Sequence, residues 1–511
     1  MTYPRDYNAA VDFVDRNVSE GRGEKPAFID PERTLTYGGL QAATNRMANL
    51  LGAHGIGRED RVAMIVLDTV DFPAIFFGAI RAGIIPVAVN TLLGTDQYRH
   101  ILDDSRAKAL FVSEPLLKTV SPALDDLEFL KTVFVVGGEA SGHVDFGEAL
   151  AQQPDTFTPA RTCADEVAFW LYSSGSTGMP KGVPHVQTSM METARLYGQD
   201  VLGISEDDTV FSAAKLFFAY GLGNGMSFPM SVGATTILLP DRPTPPAVFN
   251  ILKTHQPTIY FGVPTLYAAM LAHPGCGPEI SSARLRQCVS AGEALPEEVG
   301  KSWARTFNVD ILDGVGSTEL LHIFLSNAPG DVVYGTSGRA VPGYDLRLVD
   351  EHGAEVEGDA IGELLVRGIT SASGYWNQRE KSRATFEGEW TRTGDKYTRD
   401  ADGRYHYCGR TDDMFKVGGL WLSPFEVESA LVSHECVLEA AVVAFEDEDR
   451  LTKVQAFVVL QDGHDADGKF EILKEHVKDK IGKWKYPRRI EFVDALPKTA
   501  TGKIQRFKLR A

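Results

Sequence analysis

The sequence predicts an α/β protein: a large N-terminal part with helices layered on largely parallel sheets, a β-rich section, and a smaller α/β part at the C-terminus. Three observations predict it. Up to about residue 370, apolar strand-like runs alternate with amphipathic helical stretches, the pattern of sheets covered by helices. From residue 362 the strand-like runs are punctuated by polar turns at Asp402-Gly403 and Asp412-Asp413. After Asp413 a shorter α/β pattern fills about a hundred residues, enough for a small domain. The boundary falls at Asp412, which divides the chain into 1–412 and 413–511.

In chain order, residues 37–51 read as a helix and 61–66 as a strand. Residues 72–89 are the most apolar stretch, but Pro73, Arg81, Gly83 and Pro86 interrupt it. It therefore reads as a helix over 71–82 and a buried strand, not as a membrane span. Strands follow at 109–112, 132–136 and 167–172, then a helical pattern at 190–196. Further strands are expected at 234–239, 258–261, 287–289 and 309–312, and the β-rich section opens at 362–368. In the last part, helices are expected at 424–432 and 470–483, and strands at 438–444 and 454–460.

The chain has 511 residues, too many for one core. With 43% hydrophobic and 23% charged residues it has the composition of a soluble globular enzyme. The N-terminus carries no apolar signal core. Five dispersed cysteines without C-x-x-C spacing argue for reduced thiols in a cytoplasm, not for disulfides or a zinc site. The net charge of −18 argues against non-specific nucleic-acid binding. A basic cluster, Lys480, Lys483, Lys485, Arg488 and Arg489, stands out in the C-terminal part. It is either a solvated helix end or a docking place for an anionic substrate.

The stretch from Tyr172 to Val183 is the most informative. It gathers Ser173, Ser174, Gly175, Ser176, Thr177, Gly178, Lys181 and Gly182. Glycines let backbone N–H groups turn inward around an anion, hydroxyls add short donors, and lysine adds a mobile charge. It is not a Walker loop, because Lys181 is followed by Gly182 and not by a hydroxyl residue. The expected layout is strand, phosphate-cradling loop, then helix.

Further motifs lie downstream. Ser290-Ala-Gly-Glu-Ala-Leu-Pro296 and Asp313-Gly-Val-Gly-Ser-Thr-Glu319 each follow an expected strand. Trp390-Thr-Arg-Thr-Gly-Asp395 lies in the β-rich part. Tyr407 to Gly419, with Arg410 and Asp412, crosses the boundary, and Pro497-Lys-Thr-Ala-Thr-Gly-Lys-Ile-Gln-Arg506 lies near the C-terminus.

In this order and spacing the motifs resemble the adenylate-forming superfamily of acyl- and aryl-CoA synthetases, adenylation domains and luciferases, over essentially the whole chain. The segments 214–224 and 316–327 look like those of benzoate-CoA ligases and their hydroxy- and aminobenzoate relatives. The resemblance implies a large N-terminal domain of layered mixed sheets and helices with a β-rich subdomain, and a small mobile α/β C-terminal domain. It implies an AMP-forming ligase using ATP, magnesium and coenzyme A on a small aromatic carboxylate. The alternatives are a medium-chain fatty acyl-CoA ligase and a free-standing adenylation enzyme that loads a carrier protein. A silent nucleotide-binding protein would lack Lys181, Glu319, Asp395 or Lys503, and all four are present.

Residue by residue, the resemblance assigns the 173–178 loop and Lys181 to ATP phosphates, and Ala291, Gly292, Glu293, Asp313, Gly314 and Val315 to the nucleotide. It assigns Thr318 to a phosphate, Glu319 to magnesium, and Asp395 and Arg410 to the ribose. Lys503 is the adenylation lysine, with Lys498 as its neighbour. Asp412 is the hinge. Gly418 and Gly419 line the CoA tunnel, with Lys485 and Arg488 toward the CoA phosphates. Phe218, Ala219, Tyr220, Gly221, His322 and Ile323 line the acyl pocket, where His322 is either near the substrate or a structural histidine. The resemblance also implies a homodimer and a lysine acetyltransferase acting on Lys503. Three positions depart from the broad pattern: Val315 replaces an adenine-stacking aromatic, Phe218 a histidine, and Trp421 an arginine.

Overall fold

The computed structural model describes residues 3–173, 179–411, 413–417, 420–447, 451–461, 463–498 and 504–510. Two large sheets dominate. In the first, the strands Pro26–Ile29, Thr235–Ile237, Thr209–Ser212, Ile259–Gly262, Gln287–Ser290 and Ile311–Gly316 run parallel as successive neighbours. Antiparallel strands close both edges: Thr34–Thr36 on one side, Ile323–Ser326 and Arg339–Ala340 on the other. In the second, Val144–Asp145, Thr132–Val136, Ala109–Ser113, Arg61–Ile65, Ile85–Ala88 and Val167–Ser173 are parallel, and Lys181–Val186 adds an antiparallel edge. The central strands are buried on both faces and read as continuous apolar runs, as fully covered parallel strands do.

The helices Tyr37–Ala53 and Asp71–Arg81 pack together over the second sheet, and their apolar faces enter its core with Met64, Phe111 and Phe169. The β-rich section is an antiparallel five-stranded sheet. Asp345–Val349, Gly362–Arg367 and Trp390–Arg399 follow one another, and the last also pairs with Phe386–Glu387 and Tyr405–Arg410. The C-terminal part pairs Val437–Glu446 with Thr452–Leu460 antiparallel and adds Arg489–Phe492 parallel. The helices Pro424–Val432 and Lys469–Ile481 cover it, over Val427, Leu431, Val442, Val458, Leu473 and Val477.

The two large sheets are largely parallel with antiparallel edges, the mixed layers that were expected. One expectation changes. The 174–178 stretch leads into the strand Lys181–Val186, not directly to a helix, and Tyr172 faces Gly182 while Ser173 faces Lys181. Pro184 hides this strand in the sequence, since proline within a run argues against a central strand. Here it sits on an edge strand, where a missing N–H costs nothing. The helical pattern near 190 is real, as Ser189–Thr193, and continues in a wider turn over Ala194–Gln199. Among the described residues, no helix is long and apolar enough to cross a membrane.

Candidate active site

The parallel strands of the first sheet end side by side, and ligands of open α/β sheets bind outside such carboxyl ends. Ser290 lies level with Gly262 on one side and Asp313 on the other. The segments leaving this edge hold Phe218 to Gly221, Ala291 to Glu293, and Asp313 to Glu319. Motifs far apart in the chain thus converge because each follows a strand of one sheet.

Among the residues expected at the acyl pocket, the Tyr220 hydroxyl lies 3.2 Å from both Gly262 O and Val289 O and donates its proton between them, which pins the ring over two strand ends. His322 Nε2 donates to Tyr220 O at 3.2 Å. Its ring is 2% exposed and is surrounded by Phe228, Tyr197 and Tyr220, with centroids at 4.4, 5.7 and 5.7 Å. Burial lowers its pKa to about 3, so the imidazole is neutral and ties the 220 segment to the 322 segment. Of the two readings of His322, the structural one describes its contacts. Ile323 is buried beside it, opposite Gly316. Phe218 and Ala219 are half-buried against the large core. At Gly221 a Cβ would stand 2.0 Å from Lys215 O, so only glycine lets the chain fold back on itself here. Lys215 holds that fold: its ammonium donates to Asp241 O at 2.7 Å and lies 3.9 Å from buried Asp68.

The residues expected at the nucleotide form a second group. Tyr375 donates from its hydroxyl to Glu319 Oε1 at 2.8 Å, and Lys181 Nζ stands 4.0 Å from the centre of the same ring. Burial lowers the Lys181 pKa, and the nearby Glu319 carboxylate opposes that shift. An anion arriving here would restore the environment a buried ammonium lacks. His100 Nε2 donates to Pro180 O at 3.0 Å and holds the chain just before Lys181. His185 Nε2 donates to Thr318 O at 2.9 Å. Asp313 is buried, and burial pushes its carboxyl well above the usual carboxylate range. Asp395 and Arg410 face each other across two antiparallel strands, 3.2 Å apart. Gly394 precedes Asp395 with φ +72, and a Cβ there would lie 2.8 Å from Arg410 Nη2. The middle residue of Thr-Gly-Asp is therefore set by backbone shape.

Ser174, Gly175, Ser176, Thr177, Gly178, Asp412, Gly418, Gly419 and Lys503 lie outside the described residues. Their neighbours are placed. Lys498 pairs with Glu439 at 2.5 Å and forms a bridge with Ile504. Arg506 binds Glu428 at 2.7 Å and approaches Asp413 at 3.6 Å, while Arg510 reaches Asp413 at 2.5 Å. Lys485 is held by Glu426 at 2.5 Å, and the Arg488 guanidinium lies 3.6 Å from the centre of the Tyr486 ring. Both cations expected at CoA phosphates are thus engaged within the protein.

Sequence reasoning missed His100, His185 and Tyr375. His185 carried a weak signal, since its spacing from Lys181 puts both on one face of a strand. For Tyr375 there was none, because its partner lies far away in sequence.

The family model described as AMP-binding enzyme matches residues 14–376, and that described as AMP-binding enzyme C-terminal domain matches 426–503. A 4-hydroxybenzoate–CoA/benzoate–CoA ligase of Rhodopseudomonas palustris is 57% identical, covering 99% of this chain and 94% of its own. A benzoate–CoA ligase of Thauera aromatica is 55% identical, covering 99% of this chain and 96% of its own. Among solved structures, a benzoate CoA ligase from Burkholderia xenovorans superimposes with a TM-score of 0.92 at 48% identity over 99% of this chain and 100% of that one. An anthranilate CoA ligase in complex with anthranoyl-AMP gives 0.96 at 42% identity over 99% of this chain and 97% of that one. A match over most of the chain, with converging motif residues and relatives alike from end to end, places this protein in the AMP-binding enzyme family.

Proposed function

We propose that the protein is an AMP-forming aryl-CoA ligase acting on benzoate or a substituted benzoate. ATP and CoA are its other substrates. The observation that carries the adenylation chemistry is the meeting on Tyr375 of Lys181, from the edge strand of the second sheet, and Glu319, from the segment after the last parallel strand of the first. The choice of acid rests on whole-chain likeness to ligases named for benzoates.

In the first half-reaction a carboxylate oxygen of the acid attacks the α-phosphorus of ATP, and pyrophosphate leaves. The acid is already ionised at neutral pH, so positioning and charge neutralisation matter more than a base. Ser174, Thr177 and Lys181 hold the β- and γ-phosphates, with Thr318 touching a phosphate. Asp395 and Arg410 hold the ribose, and Ala291 to Glu293 with Asp313 to Val315 flank the rest of the nucleotide. Magnesium takes one or two carboxylates together with phosphate oxygens and water. Glu319 fits that donor set and would hold the ion, which supplies positive charge to the phosphates. Lys503 reaches the α-phosphate and the bound carboxylate. In the second half-reaction the CoA sulfur attacks the acyl carbon and AMP leaves.

In this reading the units 1–412 and 413–511 turn about Asp412 between the half-reactions. Gly418 and Gly419 then admit pantetheine, and Lys485 exchanges Glu426 for a CoA phosphate. The protein works in a reducing cytoplasm, a reading that its five free cysteines support; that it works as a homodimer rests on resemblance alone, and sedimentation equilibrium tests it. Acetylation of Lys503 removes the charge that adenylation needs. Acetylated protein is expected to lose acyl-AMP formation but still convert supplied benzoyl-AMP and CoA. Equal loss of both steps would rule this control out.

The deciding experiment is pyrophosphate release with magnesium-ATP, with and without CoA. The panel holds benzoate, hydroxy-, amino- and fluorobenzoates, cyclohexane carboxylate, hexanoate and octanoate. CoA-stimulated turnover on the benzoates is expected. Turnover mainly on aliphatic acids would overturn the acyl assignment, and indifference to CoA would point to carrier loading.

A further inference from the structure

We propose that His185 is a positioning residue that sets Thr318 and Glu319 against the phosphate-binding hairpin; this rests on the nucleotide site proposed above. Along the strand Lys181–Val186 side chains alternate, so Lys181, Val183 and His185 share one face. That face spans the site. Lys181 lies over Tyr375, Val183 packs with Ala372 and Tyr375, and His185 donates to Thr318 O at 2.9 Å.

The segment that receives this bond is an irregular turn between the strands Ile311–Gly316 and Ile323–Ser326. It has no ladder of its own to hold it. Instead, three successive carbonyls are taken from outside: Thr318 O by His185, Glu319 O by Ala372 N at 2.8 Å, and Leu320 O by Thr370 Oγ1 at 2.8 Å. Thr318 O also accepts from Leu321 N at 3.2 Å, within the turn. Ala372 and Thr370 belong to the segment that leads to Tyr375 and Trp376, and Trp376 N donates to Gly182 O at 2.9 Å. Of the three outside donors, His185 alone belongs to the hairpin that carries Lys181. It therefore adds a direct link between that hairpin and the main chain beside Glu319, next to the indirect link through Tyr375 and Trp376.

The ring is built to be a constant donor. It is 1% exposed and lies against Phe169, with centroids 5.3 Å apart and planes at 24°. A carbonyl only accepts, so Nε2 carries the hydrogen. Burial depresses the pKa, so this neutral tautomer persists through the physiological range. A merely packed histidine would need no such bond to the residue preceding Glu319.

The test compares wild type with His185→Phe, which keeps a ring against Phe169 but has no donor, and His185→Gln, which keeps an N–H. His185→Leu replaces the Phe variant if that does not fold. Three quantities are measured: the thermal shift produced by ATP with magnesium or with EDTA, carboxylate-dependent ATP–pyrophosphate exchange over a magnesium titration, and thioester formation from supplied benzoyl-AMP and CoA. In the Phe variant, exchange is expected to fall about tenfold, as loss of one buried bond suggests. The magnesium needed for half-maximal rate should rise, and the magnesium-dependent part of the thermal shift should shrink at equal magnesium. Thioester formation should hold within about twofold, and Gln should restore exchange to within about threefold of wild type. Equal loss in both half-reactions, an unchanged magnesium response, or no rescue by Gln would overturn the proposal. A wild type without any magnesium-dependent ATP shift would overturn the nucleotide site itself.

Discussion

Tyr375 gives Glu319 a hydrogen bond and gives Lys181 a ring face, so a single side chain joins two motif residues that meet only in the folded protein. Removing its hydroxyl leaves Glu319 Oε1 without that donor. Tyr375→Phe is expected to lower adenylation about five- to tenfold, consistent with about 1 kcal/mol for one such bond, with the benzoyl-AMP to thioester step nearly unchanged. Half-reaction assays check this. The buried histidines set a pH dependence. His185 at about 4 and His322 at about 3 lie below their ordinary value of 6.5. The unfolded chain takes up protons below 6.5 that the folded protein refuses. The stabilisation is thus complete above 6.5 and is lost as pH falls toward about 4, at roughly 1.4 kcal/mol per pH unit per group. Melting temperatures at pH 7, 6 and 5 should show His185→Gln losing less than wild type; parallel curves would refute a neutral His185. Lys181, Glu319, Asp395 and Arg410 could be singled out in the sequence as candidates because their neighbours form motifs. Tyr375 was not, because a hydrogen bond between distant segments leaves no local pattern, and His185 left only the weak signal of its spacing from Lys181.

At the scale of elements, the segment from Lys215 to Gly221 is shaped by backbone crowding. Gly221→Ala would push a methyl into Lys215 O, and relief requires the segment to move, at about 1–3 kcal/mol. The expected result is a KM for benzoate raised about tenfold with the KM for ATP within twofold, measured by pyrophosphate release. Helices such as Tyr37–Ala53 and Pro424–Val432 were legible from apolar spacing, and strands such as Thr132–Val136 from β-branched runs. The strand Lys181–Val186 was not, because Pro184 and the preceding glycines look like loop. The wide helical turns Val11–Asp15 and Gly223–Ser227 were also missed, since their spacing departs from the α-helical period.

Over the whole molecule, alternation of strands and helices foretold layered sheets but not their order or their antiparallel edges. Strand order depends on which crossovers close a core, and periodicity carries no record of that. The four charges Asp413, Glu428, Arg506 and Arg510 lie where the last described segment meets the residue after the proposed hinge. Asp413→Asn removes the anion shared by both arginines. It is expected to change the ratio of adenylation to thioester formation by at least about threefold, while stability changes by no more than roughly 1 kcal/mol. Equal effects on both steps would separate this cluster from the turning motion.

The mooring of Lys498 to Glu439 and of Arg506 to Glu428 has one more consequence. Both anchors belong to the C-terminal sheet and its covering helix. Lys503 is bonded to Ile504, and consecutive Cα atoms across any trans peptide lie about 3.8 Å apart. With a four-carbon stem, its ammonium has a leash of about 10 Å from that point. In the proposed reaction, a phosphate beyond this radius is reached only if residues 413–511 move with the lysine. The leash length would then convert the proposed turn about Asp412 into the presence or absence of one charge.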